Sequence, residues 1–85
     1  MNETEIRRLA AEVLARIAPE ADLSTVGEHE DLREALDLDS MDFLNFVIGL
    51  HERTGHPIPE ADTPKLQTLA GLVAYLQSQT VGARP

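Results

Sequence analysis

The chain contains no cysteine, so neither a disulfide nor a thiolate metal site can hold it together. Zinc would have to rest on His29, His51, His56 and carboxylates, and these histidines lack the close spacing a helical metal site uses. Basic residues are scarce: 7 Lys and Arg stand against 15 Asp and Glu, a net charge of -8. Phosphate backbones and anionic membranes both attract Lys and Arg, so nucleic acid and lipid surfaces are not expected partners. No apolar run approaches the roughly 20 residues of a membrane span, and the opening "MNETEIRRLA" has no long apolar segment. These two absences point to a cytoplasmic protein without stable membrane insertion. Internal repeats, low-complexity tracts and Gly/Ser linkers are missing too, and no segment alternates convincingly at period two. What remains for 85 residues is a single all-α domain. Its core is modest, because a chain this size buries only roughly 60% of the surface it exposes when unfolded.

Within that class the elements can be placed. Ile6, Leu9, Ala10, Val13, Leu14 and Ile17 recur at helical spacing, Asn2 and Glu5 have capping-box spacing, and Pro19 stops the segment. A first helix therefore runs from Glu3 to about Ala18. Asp39 or Ser40 caps a second, running to about Arg53, with Thr54-Gly55 as its stop. "GHPIPEADTPKLQT" is rich in turn formers, with a short helix expected around Glu60 to Leu66. Thr68 caps a last helix to about Gln79, with Leu69, Leu72, Val73 and Leu76 inside and Tyr75 at the edge of the core. The expected architecture is a small four-helix bundle, three main helices plus one short one, with a long first loop. Its ordered core spans about residues 3–79, and 80–85 form a frayed tail.

The long loop, Pro19 to Asp39, needs its own explanation, because such connections are unusual in compact domains unless pinned or functional. Leu23, Val26, Leu32, Leu36 and Leu38 can anchor it, and Asp31 can cap a short turn through Ala35. Acid collects here: Glu20, Asp22, Glu28, Glu30, Asp31, Glu34, Asp37, Asp39 and Asp42 face one base, Arg33. Such a cluster is either a solvated face or a field that steers basic protein partners. The helix that follows is too greasy for one core face. Phe43, Phe46, Val47 and Leu50 share one side, and Met41, Leu44 and Ile48 form a neighbouring stripe. Together they exceed the roughly 100° that core packing requires. Either one set faces solvent, available to a partner, or both are buried.

Ser40 stands at the head of that helix, between aspartates. As a nucleophile it would need a base within hydrogen-bond reach and a third group to orient that base. His51, in the same helix, is roughly 16 Å further along the axis. His29 and His56 lie in loops, but the charges nearest Ser40 are carboxylates, which repel a developing alkoxide. No Gly-rich elbow supplies an oxyanion hole. A calcium loop fails as well: counted from Asp37, the fifth position is Met41, the sixth Asp42 and the twelfth Ile48, where an EF-hand wants an oxygen ligand, a glycine and a glutamate. A plain helix cap, worth about 1 kcal/mol, accounts for a serine here but not for its acidic flanks or the wide apolar stripe beside it.

"DLREALDLDSMDFLNFVIGLHERTG" followed by "IPEADTPKLQTLAGLVAYL" resembles the acyl carrier proteins and related carrier domains. The likeness spans essentially the whole chain: the first amphipathic helix, the long loop, "LDLDSM", the Ile58-Pro59 step, and the Lys65 to Thr68 entry to a last helix carrying Tyr75. The Asp39-Ser40-Met41 core is weak alone and specific in this helical register.

The resemblance implies that Ser40 carries a 4′-phosphopantetheine arm from coenzyme A, joined as a phosphodiester, whose thiol holds acyl groups as thioesters. Asp39 would position the serine. Met41, Asp42, Leu44 and Ile48 match the surface that meets partner enzymes and the acyl entrance. Phe46, Val47 and Leu50 match the core against which an acyl chain lodges. Implied partners are a phosphopantetheinyl transferase and acyl-loading and acyl-processing enzymes with basic docking surfaces, of fatty-acid, polyketide or specialised lipid metabolism. The protein itself would be a monomeric carrier, not an enzyme. A peptidyl or aminoacyl carrier and an unmodified carrier-like interaction module are the alternatives. This sequence departs from the family pattern at Asp37, often glycine, at Asn45, typically glutamate, and at Gly49, typically alanine, while His51 and Arg53 dilute the acidity. These departures set a specialised pathway with its own partners beside housekeeping fatty-acid synthesis.

Overall fold

Asn2 opens the first helix with the reciprocal pair that its spacing predicts. Its Oδ1 accepts from the Glu5 N–H at 2.8 Å, and its own N–H donates to Glu5 Oε1 at 2.9 Å. In the computed structural model, which describes residues 2–82, this helix, α1, spans Glu3–Ile17. Ile6, Leu9, Ala10, Val13 and Leu14 are buried, and Ile17 packs half-buried at the edge of the same core.

The long connection that follows is fastened at several points. Leu23–Thr25 form a 3₁₀ turn that the apolar pattern did not reveal. Asp22 caps it, accepting from the Ser24 N–H and hydroxyl, and these bonds hold the Asp22 carboxyl below its ordinary range. Asp31 caps the short helix α2, Leu32–Ala35, as expected. The Leu32 N–H donates to the Gln67 carbonyl at 2.7 Å and the Ala70 N–H to that of Glu28 at 2.9 Å, tying the loop to the entry of the last helix. Leu23, Val26, Leu32 and Leu38 are buried beneath it, with Leu36 partly so. Connections this long persist in small domains when their backbone groups and apolar side chains are satisfied in this way.

The second long helix, α3, spans Ser40–Thr54 and ends on Gly55, whose φ of 76° is the left-handed stop that glycine tolerates. Glu60–Leu66 is helical at the predicted place but winds as a 3₁₀ helix. Pro64 explains the tightening: it has no N–H to give, and in an α-helix its ring would meet the carbonyl four residues back. The last helix, α4, spans Leu69–Gly82, with Thr68 Oγ1 accepting from the Gly71 N–H at 3.0 Å. It continues beyond the Gln79 expected as its end, so the frayed tail predicted from residue 80 is helical to Gly82. The rest of that tail, 83–85, lies outside the described residues.

α1 packs against both α3 and α4, and Glu60–Leu66 closes on α4. The Tyr75 hydroxyl, at the rim, donates to Asp62 Oδ2 at 2.8 Å. That bond, with help from Lys65 and against partial desolvation, holds the Asp62 carboxyl below its ordinary range. Among the described residues there is no strand, only an isolated bridge between Asp31 and Thr68. The fold is the all-α bundle of three main helices and a short fourth. None of the helices among the described residues is long and apolar enough to cross a membrane.

Candidate functional site

The site is built from the end of α2. The Leu38 N–H donates to the Arg33 carbonyl at 2.8 Å and the Asp37 N–H to that of Glu34 at 3.4 Å, the paired closure of a Schellman motif. That motif requires a left-handed residue in its turn, and here it is Asp37, at φ 55°. Glycine takes this conformation freely, whereas an aspartate bears strain. The backbone at this position is thus one that glycine would fit without strain.

The closure buries Leu38 and delivers Asp39 as the N-cap of α3. Asp39 Oδ1 accepts from the Asp42 N–H at 2.8 Å, which settles which of the two predicted candidates caps the helix. Ser40 becomes the first helical residue, exposed, with its hydroxyl free of capping duty. Its Oγ accepts a hydrogen bond from Arg33 Nη2 at 3.1 Å. The Arg33 guanidinium also lies 6.0 Å from the centre of the Phe43 ring, and its Nε is buried without an acceptor.

Along α3 the two stripes separate. Phe43, Phe46, Val47 and Leu50 are buried, while Met41, Leu44 and Ile48 are 62%, 49% and 43% exposed. Asp42 lies half-buried at the head of the exposed stripe. Leu44, Val47 and Ile48 line one wall of an open cleft of about 280 Å³, faced by His51, Ile58, Glu60 and Thr63. Of the three residues expected at an acyl pocket, Val47 reaches this cleft, while Phe46 and Leu50 are 1% and 0% exposed in the core behind it. On the α1 side of α3 a smaller hollow of about 140 Å³ lies between Val13, Arg16 and Ile17 of α1 and Asn45, Gly49, Glu52 and Arg53 of α3. A Cβ on Gly49 would come within 2.5 Å of Val13 Cγ1, so glycine permits the close approach of the two helices.

A phosphopantetheine attachment site family model matches residues 4–76. The acyl carrier protein of Lactobacillus johnsonii is 34% identical over 79 residues, covering 92% of this chain and 96% of its own. The chain belongs to the acyl carrier protein family. That of Lactobacillus acidophilus is 30% identical over 78 residues, covering 92% of this chain and 96% of its own. Among solved structures, the acyl carrier protein from Enterococcus faecalis superimposes with a TM-score of 0.70 at 25% identity, covering 93% of this chain and 99% of its own. Members of the family are carriers rather than enzymes. Their prosthetic group is 4′-phosphopantetheine, and they work with a phosphopantetheinyl transferase and acyl-processing enzymes.

The residues around Ser40 fit a phosphate ester. Ser40 is exposed at the start of α3, where the helix's partial positive charge favours an anion, and the buried, unsatisfied Arg33 Nε is a donor in want of an acceptor. The sequence pattern singled out Ser40 and Asp39 and left open which stripe of α3 faces solvent, but it gave no reason to place Arg33 beside Ser40. Its only signal in the sequence was its isolation as the one base among nine acids between Glu20 and Asp42.

Proposed function

We propose that Ser40 is the residue that receives the phosphopantetheine arm, as a phosphodiester at its Oγ, and that the protein presents acyl groups to enzymes from there. The observation that carries this is the division of labour at the head of α3. Asp39 takes the capping role, so the Ser40 hydroxyl is presented to solvent beside an uncovered apolar stripe. When bound, the arm supplies a terminal thiol for thioester linkage, which is why a chain without cysteine can do this work.

The chain's own residues orient and dock. Asp39 holds the helix start and so the direction of the Ser40 hydroxyl. Met41, Leu44 and Ile48 offer apolar contact, and Asp42 with the neighbouring acids offers charge to enzymes with basic docking surfaces. The cleft between Leu44, Val47 and Ile58 is the place on this side of the molecule where an acyl chain can shelter from water. On the docking helix, Asn45, His51 and Arg53 replace an unbroken acidic face, and Arg53 is engaged in an ion pair with Glu12 of α1. This altered face sets partners of a specialised acyl pathway level with those of housekeeping fatty-acid synthesis. We place the protein in the cytoplasm as a monomer.

Intact mass after incubation with coenzyme A, magnesium and a phosphopantetheinyl transferase tests the assignment. A gain of one phosphopantetheine that disappears in Ser40→Ala is expected. No gain with several different transferases would overturn it and leave an unmodified interaction module. Competition between acyl-processing enzymes of fatty-acid synthesis and those of a neighbouring gene cluster, measured on the loaded protein, decides the pathway.

A further inference from the structure

Arg33 sits oddly for a lone base in an acidic stretch. Glu34, Asp37, Asp39 and Asp42 are close in sequence, yet among the described residues Arg33 makes no ion pair. Its guanidinium is instead spent on the Phe43 ring face, 6.0 Å from the centroid, and on Ser40 Oγ at 3.1 Å. The Nε is buried and has no acceptor. The backbone beneath is held at both ends: the Arg33 N–H donates to Asp31 Oδ1, and its carbonyl accepts from Leu38. A cation is thus stationed over the hydroxyl by packing, not by a carboxylate, with donor capacity left over.

A guanidinium has five N–H donors in a planar fork that matches two phosphate oxygens, whereas a single hydroxyl oxygen accepts only part of that capacity. A phosphodiester at Ser40 brings one negative charge and two non-bridging oxygens into a neighbourhood that already holds Asp39 and Asp42. Without a cation, those charges would repel it.

We propose that Arg33 anchors the phosphodiester of the prosthetic arm, a positioning residue that passes its hydrogen bonds from the Ser40 hydroxyl to the phosphate oxygens once the arm is in place. This rests on Ser40 being the attachment residue. The anchor fixes the root of the arm against α2 and offsets the acids around it. If Arg33 were only a lid on Phe43, attaching the arm would leave it unaffected.

The test compares the full-length wild type with Arg33→Gln and Arg33→Lys, each with and without the arm, the loading verified by intact mass. Subtracting the melting temperature of the unmodified protein from that of the modified one, variant by variant, removes any effect of the substitution on the bare fold. This difference should be more positive in the wild type than in Arg33→Gln by about 2–5 °C. The excess should collapse at about 1 M NaCl, where the Debye length is about 3 Å. Arg33→Lys should retain part of it, as a point charge without the fork. In wild-type protein, the Arg33 Nε–H resonance should shift when the arm is attached and stay in place when Ser40→Ala is treated identically. Equal differences in wild type and Arg33→Gln, or an unmoved Nε–H resonance, overturn the anchor while leaving Ser40 as the attachment residue. Wild-type protein that gains no mass overturns both.

Discussion

The two sides of α3 carry similar residues and meet opposite fates. Phe43, Phe46, Val47 and Leu50 are buried in the core, Val47 at the edge of the open cleft, whereas Met41, Leu44 and Ile48 lie open to solvent on the same fifteen-residue helix. Hydrophobicity alone does not distinguish Leu50, 0% exposed, from Leu44, 49% exposed. The difference lies in what each side faces. One meets α1 and the core, while on the other Leu44 and Ile48 line one wall of the open cleft beside Ile58. One side of the helix therefore stabilises the fold, and the other leaves apolar surface exposed.

Truncating each side should expose this contrast most strongly. Leu50→Ala should cost about 2–5 kcal/mol of stability in chemical denaturation, through lost burial and the cavity left behind. Leu44→Glu should change stability by less than about 0.5 kcal/mol, as exposed substitutions usually do. It should nevertheless lower the efficiency of partner enzymes by about tenfold or more, if that stripe is the docking surface. Comparable destabilisation in the two variants would make Leu44 a core residue and erase the distinction.

A smaller effect is expected at the seam. Gly49→Ala gains helix propensity of about 1 kcal/mol but drives a methyl against Val13, a buried β-branched side chain with little rotamer freedom. Overpacking costs of about 1–3 kcal/mol should outweigh the gain, giving a net loss in thermal or urea unfolding. A more stable Gly49→Ala would mean that α1 and α3 can part cheaply.

In the opposite direction, Asp37→Gly should stabilise the protein by about 0.5–1 kcal/mol, by relieving a side chain held in the left-handed region. The same measurement on Gly55→Ala, where φ is 76°, should show a loss, since that position already has the residue its backbone needs.

The smallest expected effect is at the contact between Tyr75 of α4 and Asp62 of the Glu60–Leu66 helix. Asp62 is held below its ordinary range chiefly by the Tyr75 hydroxyl, so its ionised form favours the folded state. A depressed carboxyl contributes stability above its unfolded pKa, near about 4, and loses it as pH falls through the lower folded value. Tyr75→Phe should therefore melt below wild type at neutral pH, with a gap that narrows as the pH drops under about 4. A gap independent of pH would assign the loss to packing alone.

Much of this was legible before any coordinates. The ends of the elements could be read because a cap is satisfied within a few residues of itself: Asn2 with Glu5, Asp31 with its own turn, Thr68 with Gly71. The serine stood out because its surroundings suited neither catalysis nor calcium, and the resemblance then supplied a use for it. Two features were not legible. The 3₁₀ turn at Leu23–Thr25 is too short to show a period, and Arg33 looked like an isolated charge because its role depends on where its side chain lies.

Local chemistry, then, was enough to write the starts of the long helices, the glycine stop of α3 and the residue at its tip, since each of those follows from neighbours along the chain. Packing alone chose which stripe of α3 turned inward, because the choice needed α1 in place with Gly49 letting it approach. It also set a guanidinium over a hydroxyl from a different helix, a meeting that the left-handed turn at Asp37 makes and that no periodicity in the chain encodes.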